Sequence, residues 1–380
     1  MPGWHEATKE LERQGKVRVA GIIEEQHPDR ARLFMQWKRM GWPILVDSLN
    51  LIGVQAVPIT LFIDEHGIIR RVNPPLKNAA AVTGEFLAER YEAPAAAAPA
   101  VAVDAANKLF LWGGEKKIGE AIDAYKARRQ HASPDAAATF RLGVAYRRRY
   151  DSPQRQEGDF QAAIDHWQKA LDLNPNQYIW RRRIQQYGPR LSKPYSFYDW
   201  VVTAREEIRA RGEQPPPLVV EPGGAEFARP LKQFEAEGAA AEPDAAGRIH
   251  RDPGRFIRVE TIAAPPSIAA GAATRFHAVF RPNQRIKAHW NNEAEGLVLW
   301  VNPPAGWSVN PRRVALENPR EAVSLETRAI EFEALAPVEA AAGRITIPAY
   351  ALYYVCEDVN GTCLFRRQDL RFTVSVQEKK

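Results

Sequence analysis

A chain of 380 residues, 45% of them apolar, is long enough for two or three domains with real cores. Lys and Arg number 52 against 46 Asp and Glu, a net charge of +6. With acidic residues interspersed and no DNA- or RNA-recognition motif, that balance argues against a nucleic-acid partner. No run approaches the ~20 apolar residues of a membrane span, and no secretory signal opens the chain at Met1.

In residues 1–92, helical and strand patterns alternate. Residues 4–14 predict a helix, and the apolar run 17–23 predicts a buried parallel strand. Residues 29–40 predict a helix carrying Leu33, Phe34 and Trp37, and 43–46 a short strand. Residues 57–64 predict another strand, turned by Glu65-His66-Gly67 into a partner at 68–72, with a closing helix at 82–92. Such alternation makes an α/β sheet. Residues 93–103 are rich in Ala and Pro and predict an extended linker.

Residues 104–211 predict helices. Leu142-Gly143-x-x-Tyr146 is followed by Gly158-x-Phe160-x-x-Ala163-x-x-x-Trp167-x-x-Ala170 and Pro175. Small Gly143, Ala163 and Ala170 let paired helices approach, while Tyr146, Phe160 and Trp167 fill the gaps between turns. Pro175 ends the second helix. Ile118, Ala121 and Tyr125 form a weaker half-match before it, and residues 180–187 supply a helix after it. Phe197, Trp200, Val201, Ala204 and Ile208 form one apolar face, a closing cap. Residues 212–254, with Pro215-Pro216-Pro217 and Pro222-Gly223-Gly224, predict a long irregular linker with a short helix at 231–237.

Residues 255–380 predict strands at 256–262, 274–280, 297–301, 329–332, 343–355 and 370–376. Pro/Gly turns such as Pro303-Pro304-Ala305-Gly306 between short strands predict a β-sandwich. The two cysteines of the chain, Cys356 and Cys363, flank Asn360-Gly361. That dipeptide suits a tight hairpin turn, which brings two thiols within disulfide reach. A stable disulfide implies an oxidising, extracytoplasmic space, against the absence of a signal at Met1. Arg366 and Arg367 would favour a thiolate, whereas Glu357 and Asp358 would oppose it. Asn360-Gly361-Thr362 also fits a glycosylation sequon, although a turn explains it fully. His5, His27, His66, His131, His166, His250, His277 and His289 show no metal-ligand spacing. With no phosphate loop and no serine elbow, neither a metal nor a cofactor is expected.

Three resemblances follow from these residues. Ala56-Val57-Pro58-Ile59-Thr60-Leu61-Phe62-Ile63-Asp64-Glu65-His66-Gly67 resembles the cis-proline strand of thioredoxin-like proteins, especially the redoxin and peroxiredoxin-like branch. It covers residues 1–92 and implies that Pro58 shapes a redox site. The family's Cys-x-x-Cys opens its first long helix, after a strand. This sequence starts inside that helix, at Met1-Pro2-Gly3-Trp4-His5, and has no cysteine before Cys356. Two readings stand: a start codon assigned too late, with signal, first strand and motif upstream, or a degenerate, structural domain.

Residues 142–175 resemble the tetratricopeptide repeat signature, with a longer interhelical connection at 151–157 than its consensus. One repeat with flanking helices implies a groove for a protein partner, or a spacer between domains. Residues 255–380 resemble the amino-terminal, immunoglobulin-like domain of the DsbD family. The likeness rests on Ser267-Ile268-Ala269-Ala270-Gly271, Pro304-Ala305-Gly306-Trp307 and Tyr353-x-x-Cys356…Cys363. The cysteine spacing is a residue longer than in that family, and Phe365-Arg366-Arg367-Gln368 replaces its Pro-rich element. The resemblance implies that Cys356 and Cys363 exchange between dithiol and disulfide with thioredoxin-like redox partner proteins in the periplasm. Tyr353, Tyr354 and Phe365 would shield the sulfurs. The alternative is a structural staple, worth only ~2–3 kcal/mol for so short a loop, in a non-enzymatic scaffold. The expected whole is multidomain α/β + α + β: a truncated thioredoxin-like fold, a helical module and an immunoglobulin-like β-sandwich.

Overall fold

The computed structural model describes residues 1–94, 103–131, 135–234, 240–357 and 361–378. It combines helices with several β-sheets. Among the described residues no helix is long and apolar enough to cross a membrane. Two compact units are present. Met1–Gln154, Ala170–Trp180 and Asp199–Glu221 form the first; Arg155–Lys169, Arg181–Tyr198 and Pro222–Lys380 form the second. Residues 104–211 therefore contribute to both units.

The first unit begins with α1 (Pro2–Arg13), β1 (Gly21–Ile23), α2 (Asp29–Trp37), β2 (Ile44–Val46), β3 (Leu61–Ile63), β4 (Ile69–Val72) and α3 (Ala79–Ala88). Pro2 lies in the first turn of α1, where its missing N–H costs nothing. β1 and β2 pair in parallel, and β3 and β4 pair antiparallel as a separate two-stranded sheet. The strands are shorter than the apolar runs 17–23 and 57–64, because ladder pairing, not apolarity, sets their length. Trp4, Met40, Trp42 and Ala79 form the core here, with Phe34 and Phe62 packed on it. The Trp4 and Phe62 rings meet edge to face at 5.6 Å. The Val57–Pro58 peptide is cis, in the exposed stretch leading into β3.

The helices that follow are α4 (Ala105–Trp112), α5 (Ile118–His131), α6 (Ala136–Tyr150), α7 (Asp159–Leu173), α8 (Tyr178–Gln185) and α9 (Trp200–Ala210). Asp104 caps α4 and Asp135 caps α6 by accepting backbone N–H groups. The Arg128 guanidinium ties both caps together, at 2.7 and 2.9 Å. Ala106, Ile118, Ile122, Tyr125, Leu142 and Ala145 share one core. Trp200 of α9 stacks on Trp37 of α2, ring centroids 6.0 Å apart, and Trp37 donates its indole N–H to Glu207 at 2.6 Å.

The second unit holds the short α10 (Gly224–Phe227) and eleven strands in its described residues. They are β5 (Ile257–Ala264), β6 (Ser267–Ile268), β7 (Ala273–Pro282), β8 (Ala288–Asn291), β9 (Val298–Val301), β10 (Ser308–Asn310), β11 (Arg313–Ala315), β12 (Val323–Ser324), β13 (Arg328–Leu335), β14 (Gly343–Glu357) and β15 (Thr362–Val376). One sheet runs β10-β13-β7-β5. The other runs β11-β9-β14-β15-β6, with β8 pairing both β14 and β12. Alternate residues of the two sheets fill one core: Phe276 and Phe280 of β7, Phe332 of β13, Trp290 of β8, Leu299 of β9, Ile347 and Val355 of β14, and Phe372 of β15. The rings of Phe276, Phe332 and Phe372 lie within 5.3 Å of one another, centroid to centroid. The helix expected at 231–237 extends into residues outside those described. Residues 231–234 are not helical.

The outer side of the four-stranded sheet carries charge instead of apolar residues. Arg275 of β7 reaches Glu333 and Glu331 of β13 at 2.8 and 2.7 Å. His277 lies 3.1 Å from Glu331 and 2.8 Å from the Tyr187 carbonyl, and the Arg190 backbone N–H donates to Glu333. Burial pushes the Glu331 pKa up, but the charges and hydrogen bonds of His277 and Arg275 outweigh it and hold it at about 2.

Candidate functional site

The β14–β15 hairpin builds the site. Both strands are rich in β-branched and aromatic residues, which suit a pleated, half-buried surface. They pair in unbroken register from Gly343↔Val376 to Glu357↔Thr362. Because side chains alternate across a strand, Ile347, Ala349, Ala351, Tyr353 and Val355 enter the core between the sheets. Tyr350, Leu352, Tyr354 and Cys356 therefore point to the outer face. On β15 the outward residues are their partners Cys363, Phe365, Arg367 and Asp369.

Cys356 and Cys363 are directly opposed near the end of the hairpin and form a disulfide, with Cα atoms 4.0 Å apart. Cys356 is buried, at 3% exposure, whereas Cys363 is exposed. The next pair along the same face, Tyr354 and Phe365, stacks with ring centroids 4.4 Å apart. Of the expected shielding aromatics, these two stand beside the disulfide. Tyr353 lies on the opposite face: it meets Trp290 edge to face, donates its hydroxyl to Asp252 at 2.7 Å and lies 3.0 Å from the Gln368 side chain. Burial, then Asp252, pushes the Tyr353 pKa up, so it stays neutral.

The charged neighbours divide the same way. Glu357 and Arg366 belong to the inward set, away from the sulfurs. Arg367 shares the outer face but is engaged elsewhere. It pairs with Asp244 and Asp369, both at 2.8 Å, and lies 3.7 Å from the centre of the Tyr350 ring. Burial works to lower its pKa, and the two carboxylates more than restore it. Asp358 and Asn360 lie outside the described residues. Gly361 has a φ of 61°, in the left-handed region that glycine tolerates.

Pairing on the other edge of β14 adds a residue that cysteine spacing does not reveal. His289 of β8 is directly opposite Cys356. Neighbours in register share a face, with Cβ atoms about 4.5–5.5 Å apart. His289, Cys356 and Cys363 thus form a row across three strands, and His289 is half-buried. The available signal was alternation: Ala288 and Trp290 are core residues, so His289 between them must face outward.

Within the stretch expected as an irregular linker, Asp244 and Ile249 lie against the outer face of the hairpin, and residues 250–252 pair with the edge of β15 at Arg367. The Asp244 N–H donates to the Tyr350 hydroxyl, Ile249 packs with Trp300, Tyr350 and Leu352, and Arg251 pairs with Asp369 at 2.7 Å. Pro58 belongs to the first unit and the cysteines to the second. Among the described residues, no group of three His, Cys, Asp or Glu side chains is placed to hold a metal ion.

No family model and no curated protein matches the chain. Solved structures with some likeness include AvmM, which catalyses macrocyclization in alchivemycin A biosynthesis. It is 14% identical over 35% of this chain and 97% of its own, with a TM-score of 0.21. A FixG-related protein from Vibrio parahaemolyticus is 8% identical over 31% of this chain and 96% of its own, with a TM-score of 0.18. AggA, the major subunit of aggregative adherence fimbriae type I from Escherichia coli, is 12% identical over 34% and 98%, with a TM-score of 0.20. At such scores these likenesses assign neither a fold nor an activity.

Proposed function

We propose that the chain is a thiol–disulfide exchange protein of an extracytoplasmic space, passing electrons through Cys356 and Cys363. The observation that carries this reading is the asymmetry of the disulfide: Cys363 is exposed and Cys356 is buried. Exchange needs one sulfur that an incoming thiolate can reach and another that can leave. A thiolate of a dithiol partner attacks the Cys363 Sγ. The S–S bond breaks, a mixed disulfide forms, and Cys356 departs as a thiolate. The partner's second thiol loses its proton and attacks its own sulfur in the mixed disulfide, releasing Cys363. Two electrons then reside on the pair, with the proton from the partner's second thiol and one taken from solvent, and the partner leaves oxidised.

Residues 255–380 are read here as a DsbD amino-terminal-like, immunoglobulin-like β-sandwich, supported by two facing sheets around one core and by the terminal hairpin bearing the pair. Residues 1–92 are read as a thioredoxin-like domain without its own cysteines, supported by alternating elements and the cis peptide at Pro58. Residues 104–211 are read as a tetratricopeptide-like module that takes protein partners, supported by the buried Gly143, Ala163, Trp167 and Ala170. On this reading the chain works in an oxidising space such as the periplasm, where disulfides persist.

A second reading has its own support. Long in-register pairing leading up to the bond is also what a structural staple in a non-enzymatic scaffold requires. The reduction potential of the pair, measured by thiol trapping in glutathione buffers, separates the two. Exchange predicts a value above about −300 mV. A lower value, with thiols unreactive until unfolding, would leave the scaffold standing.

A further inference from the structure

We propose that His289 is the charge partner of Cys356, holding the imidazolium that stabilises the thiolate released when the disulfide opens. This rests on the exchange reading above. β8, β14 and β15 place His289, Cys356 and Cys363 side by side on the outer face. Of the three, Cys363 is exposed, Cys356 is buried and His289 is intermediate. A buried sulfur is a poor leaving group, because its thiolate loses solvation. A neighbouring cation offsets that loss, and a leaving thiol of lower pKa departs faster.

The other groups around the row do not supply the charge. On the outer face of β14 and β15 stand Tyr354, which is stacked on Phe365, and Arg367, which is held by Asp244 and Asp369. Glu242, Asp244, His250 and Arg251 of residues 242–252 belong to the stretch that lies against Tyr350 and Arg367, further along the hairpin. Glu357 and Arg366 belong to the inward set. β12 brings Val323 and Ser324 opposite Asn291 and Trp290, neither of them titratable. Lys287 immediately precedes β8; it is exposed and left-handed, in the turn leading into the strand, so the strand's alternation does not extend to it.

The chemistry balances on the protein's own groups. As the donor's sulfur bonds to Cys363, the electron pair of the S–S bond goes to the Cys356 Sγ. Imidazolium at His289 pairs with that thiolate or passes it a proton. When the disulfide reforms, the proton returns to the ring.

The test is a thiolate titration by absorbance at 240 nm in the full-length Cys363→Ser variant, which leaves Cys356 alone. His289→Gln should raise the Cys356 midpoint by about one pH unit, a tenfold loss of thiolate preference. His289→Arg should restore it, which a merely structural role for the ring would not do. In the protein with both cysteines, His289→Gln should make the pair tenfold harder to reduce, about 30 mV for a two-electron couple. If His289→Gln does not fold, NMR of the histidine rings in the unmutated protein replaces it. The His289 midpoint should then rise on reduction of the disulfide. An unchanged Cys356 midpoint in His289→Gln, or an unchanged ring midpoint on reduction, overturns the proposal. A potential below about −300 mV in the unmutated protein overturns the exchange reading instead, whatever His289 does.

Discussion

Lys193 places a charge where the surroundings resist it. The residue is 5% exposed, and its ammonium has no hydrogen-bond partner among the described residues. Burial is the main cause of a pKa lowered to about 8; Arg275 adds repulsion, and Glu331, Glu226 and Glu333 restore only part. An unfolded lysine titrates at about 10.4. Between those values the unfolded chain holds more protons, so stability rises with pH across that window. Below it, the buried ammonium costs stability in full. Lys193→Met should therefore raise the melting temperature at pH 7 and lose that advantage near pH 10.5. A lower melting temperature at pH 7 would mean that the glutamates need the ammonium. Residue identity alone was a poor guide to the disulfide's neighbours. Tyr353 and Tyr354 read alike in the sequence, and period-two alternation sends only Tyr354 to the face of the sulfurs. His289 was invisible from cysteine spacing, because strand pairing places it beside Cys356 from another part of the chain.

Among the elements, the stretch around Asp244 changes most between sequence and structure. Its Ala, Pro and Gly content predicts an irregular linker, and irregular it remains at Asp244. What composition could not reveal is a partner: Asp244 is buried against Arg367 and accepts backbone N–H groups from Arg248 and Ile249. Burial works to raise the Asp244 pKa, but these donors hold it below the ordinary carboxylate value. A depressed carboxylate contributes stability above its unfolded pKa, lost as pH falls through the folded one. Asp244→Asn should cost about 1.5–3 kcal/mol at pH 7. The gap to the parent should close in acid, below the ordinary carboxylate range, as denaturant melts at several pH values would record. A constant gap would assign the loss to packing. β14 was legible because alternation runs through it, whereas β15 was expected only over 370–376 and begins at Thr362. The short strands β8, β10, β11 and β12 were not, since two to four residues carry too little periodicity.

For the molecule as a whole, an exchanging disulfide must leave the fold standing in both of its states. The pair closes a sequence separation of only 7 residues, and the hairpin remains hydrogen-bonded along its length without it. Loop entropy assigns the bond about 2.5 kcal/mol, equivalent to about 5–10 °C in a unit of this size. Reduction should lower the melting temperature of the second unit by that amount and leave its far-ultraviolet circular dichroism intact. Loss of the β signal on reduction would mark the bond as a condition of folding. The division into two compact units was not legible, because helical periodicity identifies which residues of 104–211 are helical and not which core each helix joins.

The register of β14 against β15 has one more consequence, in the order of events as the chain matures. A slip of one residue on one strand would turn Ile347, Tyr353 and Val355 outward relative to their partners and set the two cysteines on opposite faces. Once the strands are paired, oxidation can close the bond only in the alignment that buries the aromatic core. In the paired hairpin the covalent link therefore holds the native register against slippage, and counting free thiols shows how much of a preparation carries that lock.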